Sequence, residues 1–295
     1  MAEGNFKSGF VSIIGKPNVG KSTLMNALVG ESLSIITSKA QTTRHRIMGV
    51  LTAEDFQIVY SDTPGILNPE YSLHKSMMKF VNESLEDADV ILFVVDLMDK
   101  YEEDKIIDVL NETDTPVILV INKSDLDKGS RLKDKMDYWE LILPGKPIVA
   151  VSALNRENID TLIAGIKENL PVHPPYFPLD TLTDKPEKFF ASEIIREKIF
   201  KNYKQEIPYS TEVEIESFVE DAQLIRLRAE IFVERKTQKG ILIGKGGEAI
   251  KKMGTEARMD LEAFFGKKVF LETFVKVAEN WRKNERQLKR FGYKQ

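Results

Sequence analysis

Short apolar runs punctuate the first part of the chain: "FVSIIG" (10–15), "RIMGVL" (46–51), "FQIVYSD" (56–62), "VILFVVDL" (90–97), "VILVINKSD" (117–125) and "PIVAVSAL" (147–154). They are rich in Val and Ile, as strands buried on both faces are. Between them the spacing turns amphipathic and helical, in "KSTLMNALVG", "LHKSMMKFVNESLEDA", "DKIIDVLNET", "RLKDKMDYWELIL" and "IDTLIAGIKENL". Strands alternating with helices predict an α/β domain whose mostly parallel sheet is covered on both faces. The runs at 46–51 and 56–62, joined by "TAED", predict a hairpin that adds one antiparallel strand.

The pattern then stops. "PVHPPYFPLD" (171–180) holds four of the chain's 12 prolines, which resist helix and sheet alike and make a stiff, extended linker. This predicts an N-terminal domain over 1–171, a linker over 172–182 and a second domain over 183–295. In the second domain a helix, "KPEKFFASEIIREKIFKNYKQEIP", precedes two alternating strands, "TEVEIESFVED" and "QLIRLRAEIFVER". "TQKGILIG" then leads into "GKGG", followed by the helical "EAIKKMGTEARMDLEAFFG", a last strand "KKVFLETFVKV" and a basic tail helix. The order is α-β-β-α-α-β, a smaller α+β domain with a glycine loop between its paired helices.

Composition adds limits. A chain of 295 residues, 42% hydrophobic and 30% charged, suits two soluble globular domains. No run is long enough to span a membrane and the N-terminus has no signal-peptide core, so a cytoplasmic protein is expected. With 0 Cys there is no disulfide, thiolate metal site or cysteine nucleophile, and His45, His74 and His173 are too scattered to suggest a metal cluster. The net charge of −4 is unevenly spread. Residues 1–175 carry 18 basic and 26 acidic side chains, net −8, and residues 176–295 carry 24 and 20, net +4. The final "RKNERQLKRFGYKQ" fits either nucleic-acid contact in the second domain or a solvated helical end.

The chemistry begins with "GKPNVGKS" (15–22), which satisfies G-x-x-x-x-G-K-[ST] after a strand and before a helix. Gly15, Asn18, Val19 and Gly20 would wrap backbone N–H groups around phosphates at a helix N-terminus, with Thr23 just inside it. Lys21 would reach the β- and γ-phosphates, and Ser22 would offer its hydroxyl to Mg²⁺. "DTPG" (62–65) ends a strand: Asp62 would hold Mg²⁺ through water and Gly65 would offer an N–H to the γ-phosphate. The polar "SLSIITSKAQTTRHRI" (32–47) is long enough for a mobile switch, with a threonine closing on Mg²⁺. Thr42 and Thr43 are both candidates, and Thr43 is preferred. Lys21, Thr43 and Gly65 thus form the expected catalytic set, and Ser22, Thr43 and Asp62 the metal set.

Base choice is carried by "NKSD" (122–125). The Asp125 carboxylate can accept from guanine N1–H and its N2 amine, a donor pair that adenine lacks. Asn122 would contact the base and brace the phosphate loop, the Lys123 stem would cover the ring, and in "SAL" (Ser152, Ala153, Leu154) the Ala153 N–H would face guanine O6. Each motif is weak alone, but four in order at strand ends point to GTP and GDP. Asp96 and Asp99, past a strand end, are expected to cap a loop. The position after DTPG, where many GTPases carry a water-orienting glutamine, is Ile66. Slow intrinsic turnover is therefore expected.

GxxG between two helices within β-α-α-β is the signature of a KH fold, whose loop clamps the backbone of about four nucleotides. Gly244, Gly246 and Gly247 would allow close approach, and Lys245 would add charge. Ile241, Leu242, Ile243 and Ile250 would line an apolar groove for the bases. Phe189, Phe190, Phe264 and Phe265 are expected in the core.

A Ras-like P-loop GTPase domain followed by a type II KH domain resembles the Era family of bacterial ribosome-assembly GTPases. The resemblance is carried by "GKPNVGKSTL", "QTTRHRI", "DTPG", "NKSD", "SAL", "IREKIF" and "GILIGKGGEAIK", and it spans essentially the whole chain. It implies binding near the 3′ end of 16S ribosomal RNA during small-subunit maturation, strengthened by GTP. It also implies peripheral contact with the inner face of the cell membrane, which here could rest only on basic residues. In similar GTPases an asparagine at the position of Asn18 helps hold K⁺ beside the phosphates. A monomer is the expected state. The competing readings are a tRNA-modifying or membrane-signalling GTPase and a metabolic P-loop kinase; Asp125 argues against the kinase.

Overall fold

The structure is a computed structural model that describes residues 5–100 and 105–294. Asp104, the first residue of the "DKIIDVLNET" stretch, lies outside them. Contacts fall into two units: one runs to Ser34 and adds Thr43–Leu67 and Met78–Asp184, the other comprises Ile35–Thr42, Asn68–Met77 and Lys185 onward.

The first unit is built on six strands: β1 (Lys7–Ile14), β2 (Ile47–Thr52), β3 (Phe56–Asp62), β4 (Val90–Asp96), β5 (Val117–Asn122) and β6 (Ile148–Val151). Their spatial order is β2-β3-β1-β4-β5-β6. Only β2 runs antiparallel to its neighbour, as the hairpin predicts. Burial on both faces explains the unbroken apolar runs: every residue of β4 and β5 is buried. Crossover helices include α1 (Lys21–Val29), α3 (Ile106–Glu112), α4 (Arg131–Ile142) and α5 (Ile159–Asn169); α2 (Ser72–Glu86) starts in the segment that groups with the second unit. The carboxyl ends of β1, β3, β4 and β5 lead into the loops at 15–20, 63–71, 97–100 and 123, where an open α/β sheet places its ligand.

The proline-rich segment is laid along this unit. Ser8 N donates to Pro171 O at 3.1 Å, Val50 N to Leu182 O at 2.8 Å, and Gln57 Nε2 to Phe177 O at 2.9 Å. The Tyr176 ring packs against Phe10.

The second unit holds α6 (Glu187–Asn202), α7 (Ile207–Ser210), β7 (Glu212–Glu220), β8 (Leu224–Val233), α8 (Lys236–Ile243), α9 (Glu248–Phe265), β9 (Lys268–Val277) and α10 (Glu285–Arg290). Its sheet order is β7-β8-β9, antiparallel then parallel. The single helix expected over 185–208 is two: Tyr203 is extended and Gln205 has φ 53°, which ends α6 before Pro208 enters the first turn of α7. One core unites Ile195, Ile199, Leu227, Ile231, Leu242, Met253 and Leu261. Phe190 is buried and stacks on Phe264, itself 40% exposed.

The basic tail is not a free helix. Trp281 is fully buried and its indole N–H donates to Ser210 O at 2.8 Å; Leu288 and Tyr293 are buried with it. Arg282, Arg290 and Lys294 pair with Glu234, Glu214 and Glu285. Half of the tail's basic charge is thus spent on acids of its own unit.

Candidate functional site

The loop between β1 and α1 is Gly15–Gly20, and α1 opens without a side-chain cap, so its first N–H groups are free to meet an anion. Lys21, the first residue of α1, is buried. Its ammonium donates to Gly15 O at 3.0 Å and Lys16 O at 2.9 Å. Burial pushes it down to about 8, against the opposing pull of Asp62. A lysine buried this way gains most from a phosphate beside it.

Ser22 Oγ donates to Asp62 Oδ2 at 2.7 Å and shares a hydrogen bond with Thr43 Oγ1 at 2.8 Å; Thr43 Oγ1 lies 3.4 Å from the same carboxylate oxygen. Three oxygens from three segments meet at one point, around a carboxylate that is fully buried. Burial pushes the Asp62 carboxyl up, against the Ser22 hydrogen bond and the Lys21 charge. Hard oxygen donors around an under-compensated carboxylate fit Mg²⁺. Of the two threonines, Thr43 stands here, while Thr42 Oγ1 donates to Lys39 O at 2.7 Å.

The DTPG segment lies against the phosphate loop. Ile66 N donates to Gly15 O at 3.0 Å, and a Cβ on Gly65 would stand 2.8 Å from Pro17, so only glycine allows the approach. Ile66 packs against the cluster of Ile14, Phe93 and Trp139 and lines a small cavity with Phe93, Trp139 and Val19, which Lys16, Asp96 and Asp99 also border. Its side chain is half-buried against that core and has no polar atom with which to orient water.

At the base end, Asn122 Nδ2 donates to Val19 O at 2.9 Å, bracing the phosphate loop, and Asn122 Oδ1 accepts from Ala153 N at 3.1 Å. Asp125 is exposed and its Oδ1 accepts from Ser152 Oγ at 2.6 Å. Ser152 and Ala153 are buried, while Leu154 is 77% exposed. Asn18, exposed at φ 66°, stands beside Lys123, whose Nζ donates to Asn18 O at 3.0 Å. Thr23 follows Ser22 in α1.

In the second unit α8 ends at Ile243, and "GKGG" turns the chain into α9. Gly244, Gly246 and Gly247 have φ of 75°, 60° and 82°. Around Gly246 a Cβ would meet nothing within 4 Å, so its glycine serves the backbone turn and what approaches from outside. Lys245 and Gly246 are exposed, and α9, 18 residues long, starts with no side-chain cap. Ile241 is 54% exposed, whereas Ile243 and Ile250 are half-buried at the core's edge. Leu242 departs from its expected place in the groove: it is fully buried, because the helical turn that exposes 241 drives 242 inward.

Comparisons agree with this arrangement. A family described as "50S ribosome-binding GTPase" matches residues 10–123, and one described as "KH domain" matches 206–282. "GTPase Era" of Geotalea uraniireducens is 46% identical over 296 residues, covering 99% of this chain and 100% of the relative. The chain belongs to the Era GTPase family. A solved Aquifex aeolicus Era, a tyrosine-to-alanine variant bound to GDP·AlF4⁻, superposes with TM-score 0.93 at 38% identity, covering 98% of this chain and all of that one. A second solved Era, in complex with MgGDPNP and nucleotides 1506–1542 of 16S ribosomal RNA, gives TM-score 0.91 at 38% identity with the same coverage. The chain is therefore an Era-type GTPase with a C-terminal KH domain.

Two contacts in this Era-family chain were not foreseen from its sequence. Asp96 caps its loop as expected, Oδ1 accepting from Met98 N at 2.8 Å, but its other oxygen pairs with Lys123. Arg196, in the "IREKIF" stretch, is buried in α6, pairs with Glu193 one helical turn away and donates to Thr42 O. A Glu-x-x-Arg spacing was visible; its backbone partner 154 residues away was not.

Proposed function

We propose that this GTPase is a slow, GTP-driven switch that binds 16S ribosomal RNA near its 3′ end through the KH loop and assists maturation of the small ribosomal subunit. The observation that carries the nucleotide half is the convergence of Ser22, Thr43 and the under-compensated Asp62 beside a buried Lys21. The RNA half is supported by the exposed GKGG turn and by the solved Era whose complex holds MgGDPNP and 16S RNA. Ser22, Thr43 and Asp62 would hold Mg²⁺, which when bound offsets charge developing on the phosphates. Lys21 and the α1 N–H groups would fix the β- and γ-phosphates, the Gly65 N–H would meet the γ-phosphate, and Asp125 would select guanine. On this reading the protein works in the cytoplasm as a monomer. Any contact with the inner face of the membrane would rest on basic residues, because no helix among the described residues is long and apolar enough to cross one. Crosslinking to cellular RNA and sequencing the bound fragments tests the assignment. Reads concentrated at the 3′ end of 16S RNA are expected, and reads confined to large-subunit RNA would overturn it in favour of the broader family's 50S description.

Two further outcomes follow. With Ile66 half-buried against the apolar core and without a polar atom, hydrolysis without a partner is expected to depend on a monovalent cation near Asn18. Single-turnover rates in K⁺ should exceed those in Na⁺ at matched ionic strength, and Asn18→Ala should erase the difference. A wild-type rate indifferent to the cation rules the cation out. Coupling between nucleotide and RNA is supported by Arg196, which holds the carbonyl of the residue preceding Thr43. RNA should bind about 5-fold or more tighter with GDPNP than with GDP, and RNA must tighten GDPNP by the same factor. Equal RNA affinity in both states would refute the coupling.

A further inference from the structure

We infer that Asp96 is a positioning residue of the nucleotide site, holding Lys123 so that the base-recognition loop and the phosphate loop move as one piece; the inference rests on the GTP-site reading above. Asp96 ends β4 in register with Asn122 on β5, and Leu97 N donates to Asn122 O at 3.0 Å. The carboxylate thus sits one strand away from the motif that reads guanine. It is 6% exposed, and both oxygens are engaged: Oδ1 by Met98 N–H and Oδ2 by the Lys123 ammonium. Lys123 spends a second N–H on Asn18 O at 3.0 Å. Lys123 and Asn18 both have positive φ, 65° and 66°, a conformation non-glycine residues keep only when their surroundings hold it. Asn122 adds the parallel tie to Val19 O at 2.9 Å.

The physical consequence concerns Lys123. Its stem is to lie over the base, yet a lysine is a flexible chain with three donors at its tip. A buried carboxylate, itself fixed by a backbone N–H, gives that tip one place to be. With the tip held there, the tie to the Asn18 carbonyl rests on the protein's own groups, which lowers the ordering cost that nucleotide binding would otherwise carry. A capping role alone would need only Oδ1, and any Asp, Asn or Ser could supply that.

GDP release measured by stopped flow with a fluorescent GDP analogue tests the inference. Asp96→Ala is expected to speed release about tenfold, Lys123→Ala by a similar factor, and the double variant no more than Lys123→Ala alone, because both act through one contact. In GTP turnover the Asp96 variant should raise KM about tenfold while changing kcat less than twofold. Asp96→Asn, which keeps the side chain's shape, takes Asp96→Ala's place if the latter does not fold. Release at the wild-type rate, or effects that add in the double variant, would overturn the inference. A wild-type protein that fails to retain GDP at all would instead sink the underlying GTP-site reading.

Discussion

Asp125→Asn is expected to weaken GTP binding roughly 100-fold or more, from two charge-assisted hydrogen bonds of about 1.5–3 kcal/mol each, one of which also turns repulsive. In the wild type the carboxylate would accept from guanine N1–H and N2; after substitution one position would present an amide that can only donate. The fold should survive. Asp125 is exposed, and the new side chain's oxygen can still accept from Ser152 Oγ as Asp125 Oδ1 does at 2.6 Å. Surface changes of this kind fall within about 0.5 kcal/mol of wild-type stability. The measurement is nucleotide affinity alongside thermal melting of the empty protein. Xanthosine triphosphate, whose C2 carries an oxygen in place of the amine, should bind the variant better than GTP does. Unchanged GTP affinity would remove the guanine assignment, and a collapse in melting temperature would show that the loss came from unfolding.

The first unit was legible in the sequence because its strands are buried on both faces and its nucleotide motifs sit at strand ends, where local pattern and long-range chemistry coincide. The 46–51 and 56–62 runs gave their hairpin, and Ser22, Thr43 and Asp62, separated by up to 40 residues, lie within hydrogen-bond reach of one another. What sequence could not supply were contacts fixed only by packing. Asp96 looked like a loop cap because its second partner, Lys123, lies on the neighbouring strand's end. Leu242 looked like groove because a run such as "ILIG", apolar at three successive positions, gives no sign of which of them the helix turns inward. The tail's charge looked available, since composition counts lysines and arginines without their glutamates. The same blindness hid the grip of α6 on Thr42. In each case the missing information was a partner or a facing side, which the fold chooses and local sequence does not carry.

That correction to the tail concentrates the RNA-binding expectation on the GKGG turn. Replacing Lys245 and Gly246 together by Asp is expected to reduce RNA affinity about 100-fold or more at physiological salt while leaving intrinsic GTP hydrolysis within about twofold of wild type. The turn's charge swings from one positive to two negative, and phosphate contact of this kind dominates nucleic-acid affinity. The backbone should tolerate the change. Gly246 has φ 60°, where Asp is among the residues that fit best, and the space around its Cβ is open. Lys245 is exposed. The new side chain therefore meets nothing in its own chain and obstructs only what would approach from solvent. Lys245→Ala alone separates charge from shape: it should weaken binding uniformly across RNA sequences and flatten the salt dependence by about one counterion. Affinity is read by titrating a labelled fragment of 16S RNA at several salt concentrations, with hydrolysis followed in parallel. RNA affinity that survives the double substitution would move the interface off the KH loop altogether, and the exposed turn would then have to be explained as a plain helix connection.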